Sequence, residues 1–263
     1  MRYFIEISYK GTAYSGFQAQ RNANTIQAEI EKALGIFFKK DFHLTGSSRT
    51  DAGVHALQNF FHFDTEQPLI ENKISNEFWA SKASFQQEDL EKAAYHINAI
   101  LPRDIVVKRI FTVTDDAHCR FDAISREYRY FIYYNKNPFL EDRAYFLPYK
   151  TDLEILKKCA GIIAANRDFT SFSKKNTQVK NFICEIKKSE WLIENGTLVY
   201  RVEANRFLRG MVKGLVGTML KAGRGTISLD EFEQIIESRN CVKADFSVPS
   251  YGLFLIKVFY KDF

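Results

Sequence analysis

The predicted elements run through the 263-residue chain twice in the same order, and this repetition constrains the fold more than any single motif. In the first half, Arg2 to Tyr9 is rich in aromatic and β-branched residues and reads as a strand. A glycine-containing loop, Gly11 to Gln20, follows it. Asn24, with Gln27 three residues on, reads as a capping box, and Ile26, Ile30, Ala33, Leu34 and Phe37 recur at helical spacing behind it. Short strands are expected at His43 to Ser47 and at Leu57 to Phe63. The polar stretch from Asp64 to Lys82 reads as an irregular insertion. Leu90, Ala93, Ala94, Ile97 and Ile100 mark a second helix that must stop before Pro102, because a residue preceding proline disfavours helix. Ile105 to Val113 closes the half as a strand.

The second half repeats the pattern. Arg126 to Tyr134 is a strand, and Thr151 with Glu154 opens a helix carrying Leu153, Leu156, Ala160 and Ile163. Phe182 to Ile193 and Thr197 to Ala204 form a hairpin across Glu194-Asn195-Gly196, since Asn-Gly accepts the positive φ angles of a tight turn. A helix is expected from about Phe207 to Ala222. Ser228 with Glu231 caps another, and Leu253 to Tyr260 is the closing strand. The expectation is an α+β protein of two ferredoxin-like β-α-β-β-α-β halves, with antiparallel sheets and helices on one face. The boundary falls between Val113 and Arg126, giving domains 1–115 and 116–263.

Thirty-seven lysines and arginines against 32 acids leave a formal charge of only +5, so placement matters more than the total. Between Ala204 and Leu229 there is no acid, whereas Arg206, Arg209, Lys213, Lys221 and Arg224 all lie there. A second basic stretch holds Arg167, Lys174, Lys175, Lys180, Lys187 and Lys188. Concentrated positive fields favour a polyanionic partner. On a helical wheel from Arg206 to Ala222, Leu208, Met211, Val212, Leu215, Val216 and Met219 share one face. Arg206, Arg209 and Lys213 share the other, with Gly210 and Gly217 among them. Glycine inside a helix costs roughly 1 kcal/mol relative to alanine, so the close approach of another backbone, protein or RNA, is expected there.

Cys119, Cys159, Cys184 and Cys241 are widely spaced and contain no C-x-x-C pair, which points to neither a zinc ribbon nor a disulfide framework. Glu6 interrupts the apolar run that a signal peptide needs, and no segment reaches transmembrane length without charge. A cytoplasmic protein is expected.

Between the two short strands of the first half lies Gly46-Ser47-Ser48-Arg49-Thr50-Asp51-Ala52-Gly53-Val54-His55. Loops held by rigid strands are where chemistry concentrates. Asp51 there can serve as nucleophile, general base or metal ligand. A metal would draw His55 in as well, but no His/Asp cluster supplies further ligands, and no metal site is expected. A purely structural alternative is a turn in which Asp51 bonds local amides and Arg49 pairs with it.

Arg49 through Ala56 resembles the R-T-D-x-G-V-H-A signature of TruA-type pseudouridine synthases. Gly16-Phe17-Gln18-x-Gln20, Thr25-x-Gln27, His118-x-Arg120-Phe121, Arg126-x-Tyr128-x-Tyr130, Asp168-Phe169-Thr170-Ser171-Phe172, Met211-Val212-Lys213 and Gly252-Leu253 resemble other segments of that family, in the same order. The resemblance implies the pseudouridine synthase fold and isomerisation of uridine at positions 38, 39 and 40 in the tRNA anticodon stem-loop. It also implies an enzyme without a cofactor, a homodimer, and base flipping. Carried over to this chain, Asp51 is the catalytic nucleophile and Tyr128 contacts the target base. Lys213 stands where the family keeps a basic residue, usually arginine, paired with the nucleophile. Arg49 matches an arginine tied to RNA positioning and flipping. Arg206, Arg209 and His55 join the substrate-binding set. Ser48, Ser173 and Val248-Pro249 depart from the family pattern and bear on substrate range rather than on activity. The alternatives are a catalytically silent RNA-binding protein on the same fold, or a metal-dependent phosphodiesterase using Asp51 and His55.

Overall fold

The computed structural model describes residues 1–69, 82–175 and 179–261, so most of the expected insertion at 64–82 lies outside the described residues. The described chain forms two compact units, one of the described residues up to 123 together with 260–261, the other of those from 124 to 259. It is a mixed α+β protein.

The first unit contains β1 (Arg2–Tyr9), α1 (Ile26–Phe38), β2 (Thr45–Gly46), β3 (His55–Asp64), α2 (Lys82–Ile100) and β4 (Ile105–Val113). Strand β1 is central, with β4 antiparallel on one side and β3 on the other; β2 pairs with β3. This position explains its composition, because Tyr3, Phe4, Ile5 and Ile7 are all fully buried and aromatic and β-branched side chains fill both faces. The second unit contains β5 (Ser125–Tyr133), β6 (Tyr145–Phe146), α3 (Leu153–Ala165), β7 (Ile186–Glu194), β8 (Thr197–Ala204), α4 (Met211–Gly223), α5 (Leu229–Glu237) and β9 (Leu253–Phe259). Its first strand, β5, is again central, between β9 and β8, and β7 pairs with β8. Each unit thus sets its first strand between its last and its next-to-last, the arrangement expected of the repeated order.

Several boundaries differ from those read in the sequence. Thr25, not Asn24, caps α1, because its hydroxyl accepts the Ala28 amide; Gln27 instead reaches Glu31 and the Leu44 carbonyl. Asp152, not Thr151, caps α3 by accepting the Glu154 and Ile155 amides. Ser228 and Glu231 do form the expected capping box on α5. Ile100 is exposed, and Leu101 takes the buried place. Strand β7 starts at Ile186 rather than Phe182, since the preceding residues bond to 167–169 instead. The hairpin turn is as read, with Asn195 at φ 49° and Gly196 at φ 75°.

The largest correction concerns the basic helix. Gly210, at φ 73°, precedes α4, which begins at Met211, so Arg206 and Arg209 lie in the lead-in and only Lys213 of the three is helical. Gly217 is pressed against protein, not left open for RNA: an added Cβ would lie 2.3 Å from the Asp245 carbonyl oxygen. Asp245 also pairs with Lys221 at 3.5 Å, so an acid from outside the segment balances part of its charge. No helix among the described residues is long and apolar enough to cross a membrane.

A charge ladder crosses strands β5, β8 and β7. Glu127 on β5, 3% exposed, accepts bonds from Arg129 at 2.9 Å and Arg201 at 2.7 Å, and these reach on to Glu194 and Glu190. Burial opposes ionisation of Glu127, but the hydrogen bonds from Arg201 and Arg129 outweigh it and hold its carboxyl below the ordinary value. Its stabilising contribution is therefore complete above pH 4.5 and lost as pH falls through the lower folded value. Glu127→Gln should cost about 2 kcal/mol, less than breaking a fully buried pair because both guanidinium groups keep some solvent. Thermal unfolding followed from pH 7 downward checks this. The variant should unfold at lower temperature at pH 7, and the gap should close in acid; a gap independent of pH would refute the assignment.

Candidate active site

The loop that carries Asp51 is fixed on both sides by the strand-end region of the first unit. Upstream, the Asn59 amide donates to the Ser48 carbonyl at 2.8 Å from a fully buried position on β3. The Thr50 hydroxyl lies 2.7 Å from the Tyr9 phenol oxygen, and the Phe17 amide donates to the Thr50 carbonyl. Downstream, the Val54 amide donates back to the Asp51 carbonyl across a turn with Gly53 at φ 78°, a conformation that glycine adopts without strain. The Gly11 amide donates to His55 Nδ1 at 3.0 Å. Gly11 has no room for a side chain, because an added Cβ would stand 2.0 Å from the Val54 carbonyl oxygen.

These contacts separate the loop's residues by role. His55 is 1% exposed and holds the loop through its ring nitrogen, so it is placed to support the site rather than to meet a ligand directly. Arg49 is exposed and Asp51 half-buried. Among the described residues of this unit, no hydrogen bond or ion pair engages the Asp51 carboxylate, so the Arg49 pair of the purely structural alternative is not formed. The loop presents a carboxylate whose backbone is tightly held and whose oxygens remain available within the unit.

The other expected site residues lie in the second unit. Tyr128 sits on the central strand β5, opposite Val202 and Leu255, with its ring edge-on to Phe207 at 4.9 Å and 8% exposed. Phe207 belongs to the segment that also carries Arg206, half-buried, and Arg209, exposed. The Arg209 carbonyl accepts the Lys174 amide, and the Lys174 stem packs over Gly210. Lys213, on the first turn of α4, donates from Nζ to Ser250 Oγ at 3.2 Å. Ser173, one of the departures from the family pattern, is buried, and its hydroxyl donates to the Lys174 carbonyl at 3.5 Å.

Among the described residues, His62, His118 and Cys119 bring three possible metal donors within 4.8 Å of one another. Their donor atoms are already engaged. The Cys119 thiol donates to the Thr45 carbonyl at 3.1 Å and lies 3.1 Å from His62 Nδ1, while His118 Nδ1 accepts the Arg120 and Phe121 amides. Burial, with the charges of His118 and Arg2 adding to it, holds His62 down to about 4, so its ring is neutral at pH 7. The cluster acts as a hydrogen-bonded corner under β3.

Ser250, Gly11, Tyr9 and Asn59 were not singled out from the sequence. A glycine two residues past a strand was the cue available for Gly11. Nothing in the spacing of Ser250, 37 residues from Lys213, links the two.

A family model described as tRNA pseudouridine synthase matches residues 6–122 and 166–261, a span that contains Arg49, Asp51, His55, Arg206, Arg209 and Lys213 but not Tyr128. Proteins named tRNA pseudouridine synthase A align along nearly the whole chain. The one from Parabacteroides distasonis is 40% identical over 261 residues, covering 99% of this chain and 96% of its own length. That from Bacteroides fragilis is 42% identical, covering 98% and 96%. That from Staphylococcus aureus N315 is 33% identical, covering 98% and 91%.

Replacing Gly11 with alanine should drive a methyl group into the Val54 carbonyl and cost about 2 kcal/mol through backbone displacement. The thermal midpoint should fall, and cleavage by a limiting protease within residues 48–55 should accelerate. An unchanged cleavage rate would show that Gly11 does not hold the loop.

Proposed function

The chain belongs to the tRNA pseudouridine synthase family, and on that premise we propose that it isomerises uridine at positions 38, 39 and 40 of the tRNA anticodon stem-loop, with Asp51 as nucleophile. The observation that carries this reading is the Asp51 loop itself: a backbone pinned by Tyr9, Phe17 and Gly11, and a carboxylate that the rest of its unit leaves unengaged. A nucleophile needs both properties, because positional disorder and a competing partner each reduce its productive fraction.

The reaction breaks the N1–C1′ bond, turns the base and forms a C5–C1′ bond; the C5 proton is lost and N1 gains one. Oxidation state and atom count are unchanged, so the stoichiometry calls for no cofactor. A stacked uridine cannot present its reacting atoms, so the base is extruded, a few kcal/mol of unstacking being recovered against an aromatic surface. Tyr128 is assigned that surface, which its rigid strand and its packing against Phe207 support. Lys213 is assigned the cation that favours the ionised carboxylate. Arg49, exposed beside Asp51, is assigned to holding the flipped nucleotide's backbone. Arg206 and Arg209 are assigned phosphate contacts that place the stem without reading its sequence. His55 becomes a positioning residue behind Asp51. The enzyme is taken to work as a homodimer, as the family resemblance implies, and in the cytoplasm, as the sequence reading expects.

Release of tritium from uridine labelled at C5 in tRNA tests the catalytic assignment. Asp51→Asn should lower turnover by at least about a thousandfold while tRNA affinity stays within a few-fold. Full-rate release by that variant would defeat the nucleophile, and no release by the wild type would favour the silent RNA-binding protein. Mapping pseudouridine in tRNA from cells with and without the protein checks the three positions.

The arginine assignment makes a separate prediction. Arg206→Ala and Arg209→Ala should each weaken tRNA binding and reduce the slope of log affinity against log salt by about one. A salt slope unchanged in both would remove this segment from the RNA interface.

A further inference from the structure

We propose that Ser250 is a positioning residue for Lys213, aiming the ammonium group that the reading above assigns to the nucleophile; the proposal rests on that reading. Lysine ends in a single charged nitrogen on a four-carbon stem, so unlike arginine it has no planar fork to fix the direction of its charge. An ammonium that must hold one orientation therefore needs a second anchor. Ser250 provides it, accepting from Lys213 Nζ at 3.2 Å.

The hydroxyl is useful only if it is itself held in place, and three features hold it. Ser250 opens a 3-10 turn, Ser250–Gly252, directly after Pro249, whose ring fixes its backbone. The Tyr130 phenol donates to the Pro249 carbonyl at 2.7 Å, and burial pushes its titration far above the normal range, so it remains a donor at any working pH. Gly252 lies flat against the same ring, where an added Cβ would stand 2.7 Å from the ring carbon that bears the hydroxyl. Tyr130 occupies the central strand β5 two residues from Tyr128. The turn bearing Ser250 is thus moored to the strand that carries the proposed base platform, and Lys213 is moored to the turn.

An arginine at 213 would bring its own fork and would not need the serine. The effect of removing the Ser250 hydroxyl should therefore depend on the residue at 213, a dependence that a merely structural role would not produce. In steady-state tritium release with the full-length protein, Ser250→Ala should lower kcat about fivefold, the loss typical of one hydrogen bond, with KM changed less than about twofold. Ser250→Thr, which keeps the hydroxyl, should recover most of that loss. In a Lys213→Arg background, Ser250→Ala should change kcat by less than about twofold. Equal losses in the two backgrounds, or an unchanged kcat in the single variant, would overturn the positioning role while leaving the catalytic assignment of Asp51 standing. A Lys213→Met variant as active as wild type would remove the assignment of Lys213 and, with it, this proposal.

Discussion

The hydrogen bond from the Gly11 amide to His55 Nδ1 joins the end of β1 to the start of β3, and the Asp51 loop lies within the span it closes. Both partners are buried, so neither can exchange the bond for one to water without opening the loop. The bond also settles the ring's proton: with Nδ1 accepting, a neutral His55 carries hydrogen on Nε2. Side chains on either side reinforce the closure, Tyr9 and Phe17 at Thr50 and Asn59 at Ser48. A loop without regular structure thereby becomes as well determined as the strands around it. This is the condition for a short side chain such as aspartate to act at a fixed point.

The segment 204–229 shows how charge counted along a sequence misleads until the fold is known. Arg206, Arg209 and Lys213 read as one helical face, but Gly210 at positive φ breaks the run before α4, and Lys221 finds Asp245. Arg224 lies over the Tyr149 ring at 4.7 Å. Arg209 remains exposed. The glycines of α4 serve protein packing, Gly214 beneath Phe246 and Gly217 against the Asp245 backbone. Helix-interior glycine still marks a close approach; the approaching group is the chain's own loop.

What the sequence made legible follows from the range of the interactions involved. Strands β1 and β4 were read at their observed limits because both are dense in β-branched and aromatic residues that suit a pleated surface. The capping box at Ser228 and the Asn-Gly turn depend on residues two or three apart and were also legible. Caps at Thr25 and Asp152 were misplaced by one residue because neighbouring polar residues compete for the same amides, and only backbone geometry decides between them. Strand β2 shrank to two residues because its pairing depends on β3, not on its own composition. The Asp51 loop stood out as a candidate through a long contiguous motif. The supports for it were not legible, since Gly11, Asn59 and Tyr9 are brought to the loop only by pairing of β1 with β3.

The two units share a device for anchoring their loops. In each, the central strand contributes a tyrosine whose hydroxyl leaves the sheet to hold a non-regular segment: Tyr9 on β1 reaches Thr50, and Tyr130 on β5 reaches the Pro249 carbonyl, both at 2.7 Å. In each, a glycine lets the held segment press against its support, Gly11 against Val54 and Gly252 against the Tyr130 ring. A central strand suits this use because it is hydrogen-bonded along both edges and moves less than any other part of a sheet. A phenol suits it because the ring spans the distance from strand to loop with only two rotatable bonds, so little freedom is lost in fixing it. The chemistry carried by the two segments differs, a carboxylate in one and a hydroxyl that meets an ammonium in the other. The repeated fold therefore supplies rigid mooring points twice, and the function depends on which side chains each unit's loops attach to them.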